Sequence, residues 1–344
     1  MWHSYLSNIP HYQFSQQTKI VEYLLKRPFY DKIIDSRIFY TILVIMLRMF
    51  PFLFFVGFCF IVHGQRWAEH SDTLNKSRLI EVTTGITATW TGSMIGLSEI
   101  WYKKVAKSKF HFFNDNNEWL QMDKIGHFYT AYKINQLTSD FYKWSGVKEK
   151  TSLLIGTGIS IGYQTTFEFF DAYSKDWGFS WGDIAANTIG SLSFLGQNLV
   201  WQEERIIPKF SSFPTNFAPI RPNVLGSNFI ESLLKDYNGQ TYWLSFSPGT
   251  FFKQSKIPKW ACISFGYSIH EKIVGDKSSF TDLNTGIAYH QKREFLISLD
   301  IDFSRLPIRR PWLKMIVKQF NYLKIPFPSL VLRGNQILGS WSGY

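Results

Sequence analysis

Hydrophobic and polar positions divide this chain into an apolar run, four helix-length segments and a final stretch that alternates with period two. The apolar run covers residues 38–62 and is broken only by Arg48 and a few neutral polar side chains. The helix-length segments fall at residues 79–104, 124–145, 149–173 and 181–204. Three of them carry small residues four apart: Gly92 with Gly96, Gly158 with Gly162, and Ala186 with Gly190. One turn separates such residues, so each pair gives its helix a flat face that a neighbouring backbone can approach. The second segment holds Tyr, Lys, Asn, Gln and Asp throughout, too polar for a lipid-spanning helix. A compact bundle outside the bilayer or lying on it is therefore expected, in preference to a four-span membrane domain.

Residues 206–224 change character. Pro208, Pro214, Pro219 and Pro222 break helix and ladder alike, so this stretch is expected to be an extended connector. A short helix near residues 227–235 follows, then Asn238-Gly239 as a turn signal, then strands at 241–247 and 261–268. The clearest strand is 293–303, with Phe295, Ile297, Leu299, Ile301 and Phe303 on one face and Glu294, Ser298, Asp300 and Asp302 on the other. The apolar face is expected to meet a core or lipid and the polar face water. An amphipathic helix near 312–322 interrupts the strands, and Gly334-Asn335 fits a two-residue hairpin turn. The five or six strands expected here fall short of the eight that the smallest transmembrane barrel needs. The fold class expected is α+β: a helical domain over 65–205, the connector over 206–224, and a mainly antiparallel β region with one or two helices over 225–344.

Residues 1–64 read as a leader. Read from Met46, Arg48 is the positive flank and Phe50 to Val62 the apolar centre, with Val62 and Gly64 placed as signal peptidase requires before Gln65. Residues 1–45 would then be an extension from a misassigned start, and the competing reading is an uncleaved anchor long enough to span a bilayer. Such a leader implies export to the cell envelope, periplasm or outer membrane.

Composition narrows the partners. Aromatic residues make up 18% of the chain, a share that suits surfaces apolar at one end and wet at the other, such as membrane interfaces or glycan grooves. Net charge is +11, and residues 1–64 hold only six Lys/Arg against three Asp/Glu, so most of the excess lies beyond them. That favours an anionic neighbour, with membrane lipid or lipopolysaccharide ahead of nucleic acid, for which no motif is present. An outer-membrane protein is a further expected partner. The two cysteines, Cys59 in the leader and Cys262, exclude a multi-cysteine zinc site and leave the mature chain without an internal disulfide.

Candidate chemistry sits at helical spacing in the middle of the chain. Asp123, Lys124 and His127 open the second segment, Glu168 and Asp171 close the third, and Asp183 and Asn187 lie four apart in the fourth. Brought together, these would place several carboxylates beside an imidazole and an ammonium. Crowded carboxylates raise one another's pKa and can hold a proton for acid catalysis, or they can bind a divalent cation. His127, Glu168, Asp171 and Asp183 are the catalytic candidates. No cofactor is expected beyond that possible cation, and no dedicated metal site. Each residue has a plainer use: Asp123 as an N-cap, Asp183 reaching back to the backbone of Ser180 in a capping box, and Glu168 and Asp171 facing water or Lys124.

The ordered set Asp123-Lys124-x-x-His127-Phe128, Glu168-x-x-Asp171 and Gly178-Phe179-Ser180-Trp181-x-Asp183-x-x-x-Asn187-x-x-Gly190 resembles the YfiM-type family of envelope proteins of unestablished function. Small members are outer-membrane lipoproteins consisting of little more than this core, about residues 80–204 here. The second half, through Pro222-Asn223-Val224-Leu225-Gly226 and Asp236-Tyr237-Asn238-Gly239-Gln240, is similar to the longer form expected from Bacteroidota. A looser similarity runs to VanZ-like membrane proteins and would imply a role near glycopeptide or lipid chemistry. No lipobox precedes Cys59, a departure from the small members that bears on lipid anchoring.

Three functions follow in order of expectation. The first is a non-enzymatic, outer-membrane-associated scaffold, assembly or lipid-contact component with a structural polar cluster. The second is an envelope hydrolase or transferase acting on a lipid or cell-wall substrate through the His/carboxylate cluster. The third is a small outer-membrane β-barrel.

Overall fold

The computed structural model describes residues 69–102, 105–252, 254 and 256–341, all within one compact unit, residues 66–344. The leader with its cleavage site, Cys59 and the C-terminal Tyr344 lie outside the described residues.

Helices α1 (Lys76–Trp101), α2 (Met122–Trp144), α3 (Glu149–Asp171) and α4 (Trp181–Trp201) occupy the four helix-length segments. Asn75 caps α1, its side chain accepting from the Arg78 amide at 3.1 Å. Helix α2 packs against both α3 and α4. Where they meet, the interior is polar. Asn135 Nδ2 donates to Thr157 Oγ1 at 2.9 Å and to Ser191 Oγ at 3.0 Å, and Ser160 Oγ donates to the Ala131 carbonyl at 2.6 Å. Tyr132, Leu153 and Phe194 form a small apolar cluster beside them. Leu154, Ile189, Leu192 and Val200 face outward. Among the described residues, no helix is long and apolar enough to cross a membrane.

Close approach at the small residues is selective. A Cβ on Gly190 would stand 2.2 Å from the Phe128 carbonyl oxygen, so this glycine sets the α2–α4 spacing. Gly162 faces the Trp90 ring, Ala186 is half-buried, and Gly92, Gly96 and Gly158 have open space where a Cβ would be. Gly156, not singled out by the spacing, meets Ser139 on α2 instead.

The second half is built on a six-stranded antiparallel sheet in the order β1-β2-β3-β6-β7-β8. Its strands are β1 (Ile206–Ser212), β2 (Gln240–Phe246), β3 (Ala261–His270), β6 (Lys292–Ile301), β7 (Ser329–Arg333) and β8 (Gln336–Ser340). Strands β4 (Ser279–Thr281) and β5 (Ala288–His290) form a separate ribbon. Helices α5 (Pro222–Leu225) and α6 (Phe229–Lys235) precede β2, α7 (Pro248–Phe251) follows it, and α8 (Pro311–Lys318) lies between β6 and β7. Gly334-Asn335 makes the hairpin turn between β7 and β8, with Gly334 at φ 57°. β1 falls inside the stretch whose prolines pointed to an extended connector. Pro208 is tolerated because β1 is the first strand of the sheet, where its missing N–H costs no ladder bond.

One face of the sheet overturns the expectation drawn from its pattern. On β6 it is Glu294, Leu296, Ser298 and Asp300 that are buried, while Phe295, Ile297 and Leu299 are exposed. The polar face meets no water because residues near Asn321 and Lys324 lie beneath it. There Lys209 Nζ pairs with Asp300 Oδ2 at 2.9 Å, both side chains 0% exposed. Ser245 and Ser264 donate to the same carboxylate oxygen, and Lys324 Nζ donates to the Leu299 carbonyl at 2.9 Å. Burial lowers the Lys324 ammonium to about 8.

Candidate functional site

The chain enters α2 through a turn in which Trp119, Leu120 and Gln121 all have positive φ, at 46°, 53° and 65°. Non-glycine residues hold that conformation only where neighbours fix it. The sheet supplies those neighbours. Tyr267 OH and Arg293 Nη1 donate to the Leu120 carbonyl at 2.6 and 3.1 Å, and Arg293 Nη2 donates to Gln121 Oε1 at 2.7 Å. The strained turn thereby aims the first turn of α2, with Asp123, Lys124 and His127, at the start of α4.

Six of the seven polar residues of the motif set converge there. Lys124 Nζ lies 2.7 Å from Asp183 Oδ1, 3.1 Å from Asp123 Oδ2 and 2.6 Å from Asp115 Oδ1. His127 Nε2 is 3.9 Å from Asp123 Oδ1 and 3.7 Å from Asp183 Oδ1. On its other side, His127 Nδ1 stands 3.1 Å from Asn187 Oδ1, which also accepts from Gln164 Nε2 at 3.0 Å. Glu168 Oε1 is 3.9 Å from the same ring nitrogen, too far for a hydrogen bond. Asp171 stands apart from this group and accepts from Tyr102 OH at 2.6 Å.

Several of the plainer uses do not occur. Helix α2 begins at Met122, so Asp123 is inside the first turn and caps nothing; it accepts from Tyr237 OH at 2.8 Å. Ser180 does cap α4 through its hydroxyl, which accepts from the Asp183 amide at 3.2 Å. The Asp183 carboxylate turns to Lys124 instead of closing the box, and the Ser180 amide donates to Glu168 Oε2 at 3.2 Å. Glu168 is buried and meets neither water nor Lys124. Sequence reasoning missed Asp115, Tyr102, Tyr237 and Gln164. Of these only Tyr237 carried a signal, standing in the Asp236-Tyr237-Asn238-Gly239 motif.

The cluster forms the wall of a cavity of about 450 Å³, lined among others by Asp123, His127, Asp171 and Asp183 with Trp119, Trp177 and Tyr237. Three buried polar atoms of this cluster have no geometric hydrogen bond, Glu168 Oε1, Asn187 Nδ2 and Asp183 Oδ1, although the last is ion-paired to Lys124 at 2.7 Å; elsewhere among the described residues Ser247 Oγ and Asp300 Oδ1 share that state. Asp123, His127 and Asp183 each offer an atom within 4.8 Å of the others, close enough for a divalent cation. Lys124 already neutralises two of the three, so a cation would have to displace its ammonium.

The same crowding separates the titrations. Burial opposes a charged His127, but Asp123, Asp183 and Glu168 outweigh it and lift the imidazole to about 9. Burial pushes Glu168 to about 8, Asp183 to about 7 and Asp171 to about 6, against the pull of His127 on each. For Asp123 burial is outweighed by His127, Lys124 and the Tyr237 hydroxyl, and its carboxyl is held below the usual range. Near neutrality the site thus presents an ionised Asp123 next to a protonated His127.

No curated protein and no solved structure matches the chain. Residues 111–196, a quarter of the sequence, match the family described as "Predicted periplasmic lipoprotein (DUF2279)". The match covers all seven residues of the motif set and agrees with export to the cell envelope, and this α2–α4 core is what the chain shares with that family.

Proposed function

We propose that this envelope protein is a hydrolase or transferase that acts on a lipid or cell-wall substrate by acid–base chemistry at the α2–α4 cluster. One observation carries the reading: His127, Asp123 and Asp183 converge at the wall of a cavity, with unpaired buried polar atoms beside them, and are not sealed into a closed network. In the step envisaged, the Asp123 carboxylate takes a proton from water as the water oxygen bonds to the electrophilic carbon. His127 gives its proton to the departing oxygen as the old bond breaks. An alcohol in place of water makes the reaction a transfer. Asn187 and Glu168 are positioning residues behind the imidazole, Asp183 stands 3.7 Å from His127 Nε2 and supports its charge, and Lys124 balances the carboxylates.

Full-length protein assayed with para-nitrophenyl esters and β-glycosides tests this. Turnover is expected to fall about a hundredfold or more in Asp123→Asn and His127→Ala while both variants remain folded. Failure of the wild-type protein to turn over any probe would sink the proposal, as would undiminished turnover in either variant.

A second reading, an outer-membrane-associated scaffold or lipid-contact component, draws on the outward apolar face of Phe265, Phe295, Ile297 and Leu299. Membrane lipid, lipopolysaccharide or an outer-membrane protein would be the partner, and the likeness to the longer YfiM-type form supports that placement. Under it, Asp123→Asn leaves envelope integrity intact while Leu299→Asn impairs it.

A further inference from the structure

A second cavity, about 420 Å³, lies between α1, α2 and α3. Its walls are apolar, with Ile86 and Trp90 from α1, Leu137 and Phe141 from α2, and Ile159 and Tyr163 from α3. Tyr163 lines this groove and the polar cavity alike. Its ring packs edge-on against Trp90 at 5.4 Å on the groove side and against Phe167, a wall of the polar cavity, at 5.4 Å on the other. Its hydroxyl is held by Ser93 at 2.8 Å. An aromatic wall therefore runs without a break from the apolar groove into the cavity that holds His127.

We infer that the two cavities are halves of one binding site for a single-chain amphiphile, whose hydrocarbon tail lies in the α1–α2–α3 groove and whose head reaches the acid–base cluster. The inference rests on the proposed chemistry and names its substrate class. Both halves have volumes in the range of ligand pockets. The head group is uncharged and bears hydroxyls. Asp115, Glu118, Asp123, Asp171 and Asp183 line the polar cavity and outnumber the cations His127 and Lys124 set against them, a field that disfavours phosphate and suits O–H donors. Trp119, Trp177 and Tyr237 add flat faces on which a sugar ring can rest.

Calorimetric binding of octyl, decyl and dodecyl β-glucoside to the full-length protein, below their micelle concentrations, tests the assignment. Affinity is expected to rise about tenfold for each two added methylenes. Dodecyl phosphate is expected to bind at least about tenfold more weakly than dodecyl glucoside; equal or tighter binding overturns the uncharged head. Gly85 lines the groove, and no neighbour stands within 4 Å of where its Cβ would be. Gly85→Trp therefore fills the groove and should abolish the chain-length gain. Leu137→Gln, at a partly exposed groove position, should weaken it without adding bulk. A gain that survives both variants is general adsorption and overturns the inference. No gain in the wild-type protein overturns it as well, and a dimer that Gly85→Trp dissociates would identify a second copy as the occupant. A normal gain with no turnover of any probe supports this site and overturns the acid–base reading. Turnover of short probes with no gain does the reverse.

Discussion

The molecule holds two clusters of buried charge, and they are built to opposite rules. Under the sheet, Lys209 and Asp300 are both 0% exposed, and the carboxylate also accepts from Ser245 and Ser264. At the α2–α4 junction the side chains of His127 and Asp123 keep 19% and 28% of their exposure, and buried atoms of Glu168 and Asn187 have no hydrogen bond. The first arrangement fixes strands to the segment beneath them. Each leaves a buried carboxylate oxygen without a hydrogen bond, Asp300 Oδ1 in the first and Glu168 Oε1 in the second, but the second stands at the wall of a cavity. Burial and unspent lone pairs therefore do not separate scaffold from site; access to the charged groups does.

The contrast is broken most forcefully at Lys209. Lys209→Met removes one partner of a fully buried pair and should cost about 3–5 kcal/mol, read as a shift in denaturant midpoint. An effect below about 1 kcal/mol would mean that Asp300 finds another partner. Next, Gly190→Ala pushes a Cβ into the Phe128 carbonyl and should cost about 1–3 kcal/mol, and it should also lower turnover by moving His127 away from Asn187.

Raising pH gives a third, smaller test. Glu168, Asp183, Asp171 and His127 all have folded-state pKa values above their ordinary ones, at about 8, 7, 6 and 9. The folded site therefore binds more protons than the unfolded chain between roughly pH 4 and pH 9. Stability must fall as pH rises through that window. Asp123, shifted the other way, contributes stability that is lost only as the solution becomes more acid than its ordinary range. Glu168→Gln should flatten the melting temperature between pH 5 and pH 9, and an unchanged slope would contradict the assignment. The smallest effect is expected at Gly158, where open space surrounds the site of a Cβ. Gly158→Ala should stabilise α3 by about 0.5–1 kcal/mol, and destabilisation would show that a neighbour packs there.

The site was more legible in the sequence than the sheet. Asp123 with His127, and Asp183 with Asn187, are local pairs whose shared face is dictated by helical geometry, so their convergence needed only the bundle to form. Asp115, Tyr102 and Tyr237 reach the cluster from loops and from distant segments, where no periodicity points. On β6 the alternation marked two faces without marking which is covered. That choice was made by Asn321 and Lys324, which lie beneath the polar side and bond to Asp302 and Ser298 there. Pro208 misled for a related reason, since an edge strand has a side on which the missing N–H is harmless.

The most direct measurement sets Asp183→Asn beside Asp300→Asn, scoring melting temperature and turnover of the para-nitrophenyl probes for each. The account predicts that Asp183→Asn melts at or above the wild-type temperature with turnover lost, while Asp300→Asn melts several degrees lower. Asp183→Asn melting as low as Asp300→Asn would contradict it, because the α2–α4 cluster would then be holding the bundle together and nothing more.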